Sequence, residues 1–309
     1  MQNNANEPFD LLLHTSHPRI IVSPTYRLNI FGFLCAPSDP SNSPGPASSP
    51  PLPSPCSGNF GFWDQRLALE WTHANISFFS GNPNNITVGG LSAGAHSAMF
   101  QLHYDTYSAT QSSPLIRRLY LWSNVVGIQP NPPTSPAIHS QFNQVTSHFN
   151  IPASLPTGEK LAILRTMPAH DLVAAIPHLA LHTFRAVTDN EFIPSDFLSS
   201  IYPHPDASAS ASATFSSRLK TNRVKILLGE VKDEARLYRL VNAPRSHAEL
   251  KLELSNYYPS RVVDALLNHY RLHPSPPPAN HPPTTSPIHP TATSHQHHPH
   301  HFLRRRRKL

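Results

Sequence analysis

One serine, with a glycine two residues away on either side, has the setting of a catalytic nucleophile. Residues 90–94 read GLSAG, a G-x-S-x-G pattern, between a strand-like run at 85–91 and a helix-like run at 93–103. A sharp turn from strand to helix tolerates only small neighbours and lifts the serine hydroxyl above the sheet edge. The pattern predicts that Ser92 is a nucleophile and that the N–H of Ala93, at the helix start, faces a developing oxyanion. A chance glycine-rich turn is the alternative.

The elements that would hold this serine alternate along the chain. Short apolar runs predict strands at 19–23, 85–91, 118–123 and 224–231. Helix-like stretches lie at 64–77, 93–103, 138–149, 158–180, 248–257 and 260–272. In the first of these, Leu67, Trp71 and Ala74 share one helical face. The alternation predicts an α/β fold with a mostly parallel sheet flanked by helices.

Composition excludes several classes of protein. The 11 glycines are too few for collagen, the two cysteines are too few for a disulfide scaffold, and no apolar run of about 18 residues predicts a membrane-spanning helix. The net charge of +6 includes +5 from residues 272–309, which leaves the other 271 residues nearly neutral. A nucleic-acid partner is therefore not expected for the fold itself. The first ten residues lack the basic segment and the following apolar segment of a signal peptide, which favours a cytoplasmic location.

Two segments do not look globular. A proline-rich insert occupies residues 36–57, with eight prolines in residues 36–55, and residues 273–309 are rich in proline and histidine and end in a basic run. Neither has enough apolar side chains to offset the loss of chain entropy on folding. We expect both segments to be disordered, which leaves residues 1–272 as one domain interrupted by the insert.

Three further stretches resemble the motifs of one enzyme family. Residues 26–34 (YRLNIFGFL), 58–71 (GNFGFWDQRLALEW) and 79–87 (FSGNPNNIT) are similar to motifs of the type B carboxylesterases, the cholinesterase-like branch of the α/β-hydrolases. The resemblance runs from about residue 9 to about residue 272. It implies an α/β-hydrolase fold, here incomplete. It also implies a serine hydrolase that cleaves small-molecule carboxylic esters through a Ser–Glu–His triad, without a metal or an organic cofactor.

The resemblance also indicates the acidic member of the triad. Residues 229–234 (GEVKDE) are similar to the strand–loop segment that carries this acid in the family, and Glu234 occupies the matching position. It follows a predicted strand, where α/β sheets place functional residues. The resemblance implies that its carboxylate accepts the imidazole N–H of the catalytic histidine and stabilises the imidazolium. A solvated acidic loop is the alternative.

No histidine of the chain matches the family's catalytic histidine. His247 lies only 13 residues after Glu234, at a predicted helix start. His96 lies one helical turn after Ser92 and is expected to pack rather than to act as a base. The histidines beyond residue 272 match no family motif. The chain also has no glycine before Gly32, so the N-terminal oxyanion loop of the family has no counterpart here.

The gaps in the family pattern, the catalytic histidine and the N-terminal oxyanion loop, leave two functions open. The first is a carboxylic-ester hydrolase with Ser92 as nucleophile and Glu234 as triad acid, whose activity in this chain is in doubt because no base is found. The second is a catalytically inactive relative that acts in protein–protein binding. Because both gaps lie toward the chain ends, we expect a truncated or mis-assembled version of a longer hydrolase.

Overall fold

The structure is a computed structural model. It describes Leu12 and residues 16–37, 58–107, 114–124, 128–181, 183–202, 214–241, 243–270 and 272. The tail at 273–309 and residues 38–57 of the proline-rich insert lie outside the described residues. The two flanks of the insert meet, because a Cβ built on Gly58 would lie 2.6 Å from the Cβ of Cys35. The insert therefore leaves and rejoins the fold at one point.

Three parallel strands form the sheet. In spatial order they are β1 (Ile86–Leu91), β2 (Ile116–Trp122) and β3 (Lys225–Gly229). Each strand ends within two residues of its predicted boundary, and the predicted parallel sheet is confirmed. The last residues of the strands, Leu91, Trp122 and Gly229, are aligned across the sheet. The chain segments that follow the three strands therefore emerge at one edge.

The fourth predicted strand is wrong. Residues 19–23 form no strand, and Ile20, Ile21 and Val22 are exposed. These β-branched side chains favour extended backbone, but a strand also needs a neighbour that pairs with its N–H and C=O groups. Within the described part of the chain, the sheet offers residues 19–23 no such neighbour.

Helices connect the strands and cover part of the sheet. In the described residues they are α1 (Asn29–Phe33), α2 (Phe60–Asn75), α3 (Ala93–Tyr107), α4 (Pro136–His148), α5 (Thr157–Thr166), α6 (Ala169–Ala175), α7 (Phe197–Ile201), α8 (Phe215–Thr221), α9 (Glu234–Val241), α10 (His247–Ser255) and α11 (Ser260–His269). Three of them begin at a side-chain cap. Ser135, Thr214 and Ser246 each accept the main-chain N–H three residues ahead, which satisfies one of the unpaired donors of a helix start.

One predicted helix is divided in two. The stretch 158–180 was expected to be continuous, whereas α5 ends at Thr166 and α6 begins at Ala169. Pro168 lies between them, and Met167 before it has extended backbone with ψ of 146°. Proline has no N–H to donate within a helix and disfavours helical backbone at the preceding residue.

The main core lies between α3 and one face of the sheet. Leu119 and Leu121 of β2 face this core and are each 2% exposed. The Phe100 ring of α3 lies 5.3 Å from the Phe62 ring of α2, centroid to centroid. A second cluster joins α1 to the helices α4–α6, with Phe142 at its centre among the fully buried side chains.

A buried ion pair fastens α2 and α3 to the start of β2. The Arg66 guanidinium donates to the Asp105 carboxylate at 2.7 Å, and both side chains are almost completely buried. The second oxygen of Asp105 accepts the N–H of Ile116 at 2.9 Å. One carboxylate thus connects two helices and a strand.

In the described part of the chain, the opposite face of the sheet is open. Tyr120 and Trp122 of β2 lie on it, and their rings cover Gly89 and Gly229, where an added Cβ would come within 2.3 and 2.1 Å of ring carbons. The neighbouring Leu227 of β3 is 58% exposed. No helix among the described residues has the length and apolar character needed to cross a membrane.

Candidate active site

Ser92 occupies the sharp turn between β1 and α3. Its backbone is left-handed, with φ of 56°, a conformation that a residue with a side chain rarely adopts. Its N–H donates to the carbonyl of Trp122 at 2.9 Å, so the hydrogen bonding between β1 and β2 continues for one residue beyond β1. Its carbonyl accepts the N–H of His96 at 3.1 Å and that of the Asn124 amide at 3.1 Å. The turn is therefore held on both sides while the side chain stays exposed.

The two motif glycines have different environments. A Cβ added to Gly90 would lie 2.5 Å from the carbonyl carbon of Gly94 and 2.9 Å from the nitrogen of Ala95, so β1 and α3 could not approach as they do. A Cβ added to Gly94 would meet no atom within 4 Å. The expectation that only small residues fit on both sides of Ser92 is thus right for Gly90 and wrong for Gly94.

Ala93 is the first residue of α3. Main-chain N–H groups at this position have no carbonyl partner within the helix, and the helix dipole favours negative charge near them. The N–H of Ala93 directly follows Ser92 in the chain and lies where the sequence predicts an oxyanion donor.

Glu234 is the first residue of α9, five residues after the end of β3. Its Oε1 accepts the N–H of Val231 at 3.0 Å, which folds the carboxylate back over its own loop. Asp233 before it has left-handed backbone with φ of 64°. Ser92 and Glu234 therefore both follow strand ends at the same edge of the sheet. With β2 between them, the ends of β1 and β3 lie about 10 Å apart.

Among the described residues, no histidine side chain is hydrogen-bonded to Ser92 or Glu234. The ring of His96 packs 4.4 Å from that of Phe100, and its Nε2 is buried without a hydrogen-bond partner. Burial, together with the nearby charge of Arg185, lowers the pKa of His96 to about 4. His247 begins α10 behind its Ser246 cap, as expected. In the part of the chain that the structure describes, no histidine hydrogen-bonds to the Ser92 hydroxyl.

A buried histidine, His103, escaped notice in the sequence. His103 of α3 is 1% exposed, and its Nε2 lies 2.9 Å from the Ser200 hydroxyl. That hydroxyl donates to the carbonyl of Phe197 at 2.6 Å, so Nε2 carries the proton and donates to Ser200. Aromatic rings surround His103, and no local pattern distinguished it from the other polar residues of α3. Among the described residues, no group of three or more histidine, cysteine or acidic side chains is arranged so that it could hold a metal ion.

The parallel sheet, the flanking helices and the strand–turn–helix at Ser92 define an α/β-hydrolase fold. The profile of the carboxylesterase family matches residues 5–275, and the chain belongs to this family.

Curated relatives of the family are similar over most of the chain. The chain is 41% identical to an uncharacterised esterase/lipase of Schizosaccharomyces pombe over 85% of its length and 45% of that protein. It is 33% identical to a carboxylic ester hydrolase of Gibberella moniliformis, over 84% of its length and 44% of that protein. Acetylcholinesterase of Bungarus fasciatus is 30% identical over 73% of the chain. The chain thus spans less than half the length of these relatives.

Among solved structures, the chain is similar to the carboxylesterase EST55 of Geobacillus stearothermophilus. The two share 28% sequence identity, with a TM-score of 0.47 over 70% of this chain and 39% of the bacterial one.

Proposed function

We propose that this chain carries the nucleophile and the triad acid of a serine-type carboxylic-ester hydrolase. The observation that carries the proposal is the left-handed turn at Ser92, between a parallel strand and a helix, in a chain of the carboxylesterase family. Two of the relatives are named as an esterase/lipase and a carboxylic ester hydrolase. The substrate would be a small-molecule carboxylic ester.

The proposed reaction begins at Ser92. Its Oγ attacks the carbonyl carbon of the ester, the C=O bond opens to an oxyanion, and the N–H of Ala93 donates to that oxygen. A histidine takes the serine proton and gives it to the leaving alcohol, while Glu234 holds the imidazolium by accepting its other N–H. Water then hydrolyses the acyl-serine by the same route. Glu234 would have to release the N–H of Val231 or share its carboxylate with it.

In the part of the chain that the structure describes, no histidine supplies the base of this site. We assign it neither to His96, whose free nitrogen is buried against Phe100, nor to His247, which begins α10. Without a base, a serine hydroxyl is a weak nucleophile. We therefore expect this chain to hydrolyse esters slowly.

Labelling with a fluorophosphonate probe tests Ser92 directly, because the probe reacts with activated serines. Ser123 is a control for the backbone geometry, since it also follows a strand end with left-handed backbone, φ of 55°, while its Oγ is buried. The proposal expects slow labelling of the folded chain that Ser92→Ala abolishes and Ser123→Ala preserves. Labelling that survives Ser92→Ala would refute the assignment.

The role of Glu234 needs a separate measurement. Glu234→Gln keeps the size of the side chain but removes the negative charge that an imidazolium requires. Any labelling of Ser92 requires a histidine base, and a triad acid fixes the tautomer of that histidine, so we expect Glu234→Gln to lower the Ser92-dependent labelling rate at least about tenfold. A Ser92-dependent rate that Glu234→Gln leaves unchanged would remove Glu234 from the site and retain Ser92.

The second candidate function is binding of a protein partner by a catalytically inactive chain. The open face of the sheet favours it, because Leu91, Trp122 and Leu227 expose apolar surface there. A folded sample that no fluorophosphonate labels would support this function over the hydrolase.

A further inference from the structure

Arg185 is a half-buried cation that the proposed triad does not use. Its Nη2 donates to the hydroxyl of Tyr257 at 2.6 Å, and its Cζ lies 4.3 Å from the centre of the Tyr257 ring. Its Nε is buried without a hydrogen-bond partner. In the described part of the chain, no carboxylate forms an ion pair with this guanidinium. Arg185 therefore has one neutral partner and retains N–H donors for a ligand.

The segment around Asn131 positions this arginine. Its main chain forms a parallel bridge with Val187, two residues after Arg185. Its side-chain amide donates to the carbonyl of Ser255, two residues before Tyr257, at 3.0 Å. Asn131 itself is buried. One asparagine thus holds the segment of Arg185 against the end of α10, so the contact between the guanidinium and the phenol is built into the fold.

The pair formed by Arg185 and Tyr257 lies near the start of α3. Burial, and after it the charge of Arg185, lowers the pKa of His96, which places the guanidinium near that ring. The N–H of His96 donates to the carbonyl of Ser92 at 3.1 Å, and one helical turn spans about 5.4 Å. The Nε2 of His96, like the Nε of Arg185, is buried without a hydrogen-bond partner. The fold therefore leaves two polar groups unpaired close to the turn at Ser92.

The same pair also lies near α9, which begins at Glu234. Burial raises the pKa of Tyr257; the charge of Arg185 opposes this shift, and Glu253 and Tyr238 add to it. Tyr238 lies on α9, one helical turn after Glu234. The pair is therefore close to both helices that follow the candidate nucleophile and the candidate acid, where part of a bound ester would lie.

We propose that Arg185 binds a carboxylate on the ester substrate, so that this chain prefers half-esters of dicarboxylic acids. A planar guanidinium matches the two oxygens of a carboxylate with parallel N–H donors. A carboxylate has one negative charge, which one arginine neutralises. The ring of Tyr257 orients the guanidinium through a cation–π contact. This inference rests on the proposed ester hydrolase, because it places the carboxylate on the ester that Ser92 attacks.

Calorimetric titration of the purified chain tests the preference. The ligands are the monomethyl esters of succinate, glutarate and adipate, each compared with its neutral dimethyl ester. We expect at least one monoester to bind about tenfold or more tightly than its diester, because the carboxylate forms charge-assisted bonds with Arg185. Arg185→Gln should abolish this preference. The control Arg165→Gln removes the same charge from an exposed position of α5 and should change the preference less than about twofold.

The ratio of the two affinities protects the test against misfolding, because a damaged fold would weaken both ligands. Tyr257→Phe is a second check, since it keeps the aromatic ring beside the guanidinium and frees the Nη2 of Arg185. The preference should therefore survive this substitution. A monoester that binds no more tightly than its diester, or a preference that survives Arg185→Gln, would overturn the proposal. A preference that Tyr257→Phe abolishes would assign the carboxylate to the phenol and overturn the role of Arg185.

Fluorophosphonate labelling separates this inference from the proposed hydrolase. Labelling of Ser92 in a chain without the monoester preference would overturn the carboxylate site and retain the hydrolase. A preference that depends on Arg185, in a folded chain that the probe does not label, would support the carboxylate site and refute ester hydrolysis. Tighter binding of 3-acetoxypropionate, an isomer of monomethyl succinate with the carboxylate on the alcohol part, would overturn the assignment to half-esters of dicarboxylic acids.

Discussion

The strand–helix unit that carries Ser92 and the unit that would supply the acid are packed very differently. In the first, α3 lies against β1 and β2 and contributes Phe100 and Leu102 to the main core. In the second, Leu227 and Leu228 are adjacent on β3 and therefore point to opposite faces, yet both are more than half exposed. On α9, Leu237 and Leu240 are also exposed.

The part of the candidate site around Ser92 and the part around Glu234 therefore differ in how much packing supports them. A strand of a parallel sheet is normally buried on both faces by helices. β1 and β2 have this cover on one face, which fixes the turn at Ser92 through the core. β3 and α9 lack it among the described residues, so the position of Glu234 rests on the ladder with β2 and on its own loop. We therefore expect Ser92 to be held more firmly than Glu234.

The largest effect is expected from the ion pair that anchors α3. Asp105→Asn leaves the buried charge of Arg66 without its partner and should lower the free energy of unfolding by about 3–5 kcal/mol. Glu70→Gln is the matched control, since Glu70 contacts the same guanidinium from a half-exposed position and should cost about 1 kcal/mol at most. Urea unfolding measures both. Equal costs would mean that burial of the pair does not stabilise the Ser92 unit.

Leucine-to-alanine substitutions on β2 and β3 test directly how differently the two units are packed. Leu121→Ala empties space in the main core and should cost about 2–5 kcal/mol. Leu227→Ala removes the same atoms from a largely exposed position and should cost about 0.5 kcal/mol. The difference in urea midpoint between the two variants tests the comparison. A loss of several kcal/mol from Leu227→Ala would show that β3 is covered in solution.

The sequence predicted the fold well where its signals are local. The apolar runs of β1, β2 and β3 and the glycine-flanked serine were visible in stretches of a few residues. Pro168 was visible too, and its break in the helix could have been predicted. The isolated run at 19–23 was misleading, because pairing of a strand depends on residues far away in the chain.

Interactions between residues far apart in the chain could not be predicted from local sequence patterns. In α2 the apolar face with Leu67 and Trp71 is exposed, whereas Arg66 is buried because Asp105, 39 residues later, neutralises it. Helical periodicity assigns burial by side-chain type and contains no information on such a partner. The same limit applies to the site: the turn at Ser92 could be predicted, but the catalytic roles of Ser92, Ala93 and Glu234 stay predictions.

The next prediction concerns the pH dependence of the free energy of unfolding, which the buried His103 of α3 should influence. Burial lowers the pKa of His103 to about 4, against 6.5 for a solvated histidine; the charge of Asp196 opposes this shift and that of Arg218 adds to it. The unfolded chain therefore binds a proton that the folded chain does not, so the free energy of unfolding falls as pH drops from about 6.5 toward 4. Between pH 7 and pH 5, His103 should contribute a loss of about 2 kcal/mol.

His103→Gln tests this prediction, because glutamine can still donate to Ser200 but does not titrate. Urea unfolding at the two pH values should show a smaller pH dependence in this variant. His269→Gln, at an exposed position of α11, should leave the dependence unchanged. A dependence that His103→Gln does not alter would mean that the buried ring is already protonated or that α3 opens before it titrates.

The smallest effect distinguishes the two motif glycines at Ser92. Gly90→Ala forces a methyl group against the backbone of α3 and should cost about 1–3 kcal/mol, because β1 or the helix must move. Gly94→Ala meets no atom and lies in a helix, where alanine is favoured over glycine by up to about 1 kcal/mol, so it should be neutral or stabilising. Thermal unfolding of the two variants measures the contrast. Fluorophosphonate labelling of Gly94→Ala extends it: slower labelling of an equally stable variant would mean that the space beside Gly94 admits the substrate, whereas unchanged labelling would leave Gly90 as the one glycine that the turn requires.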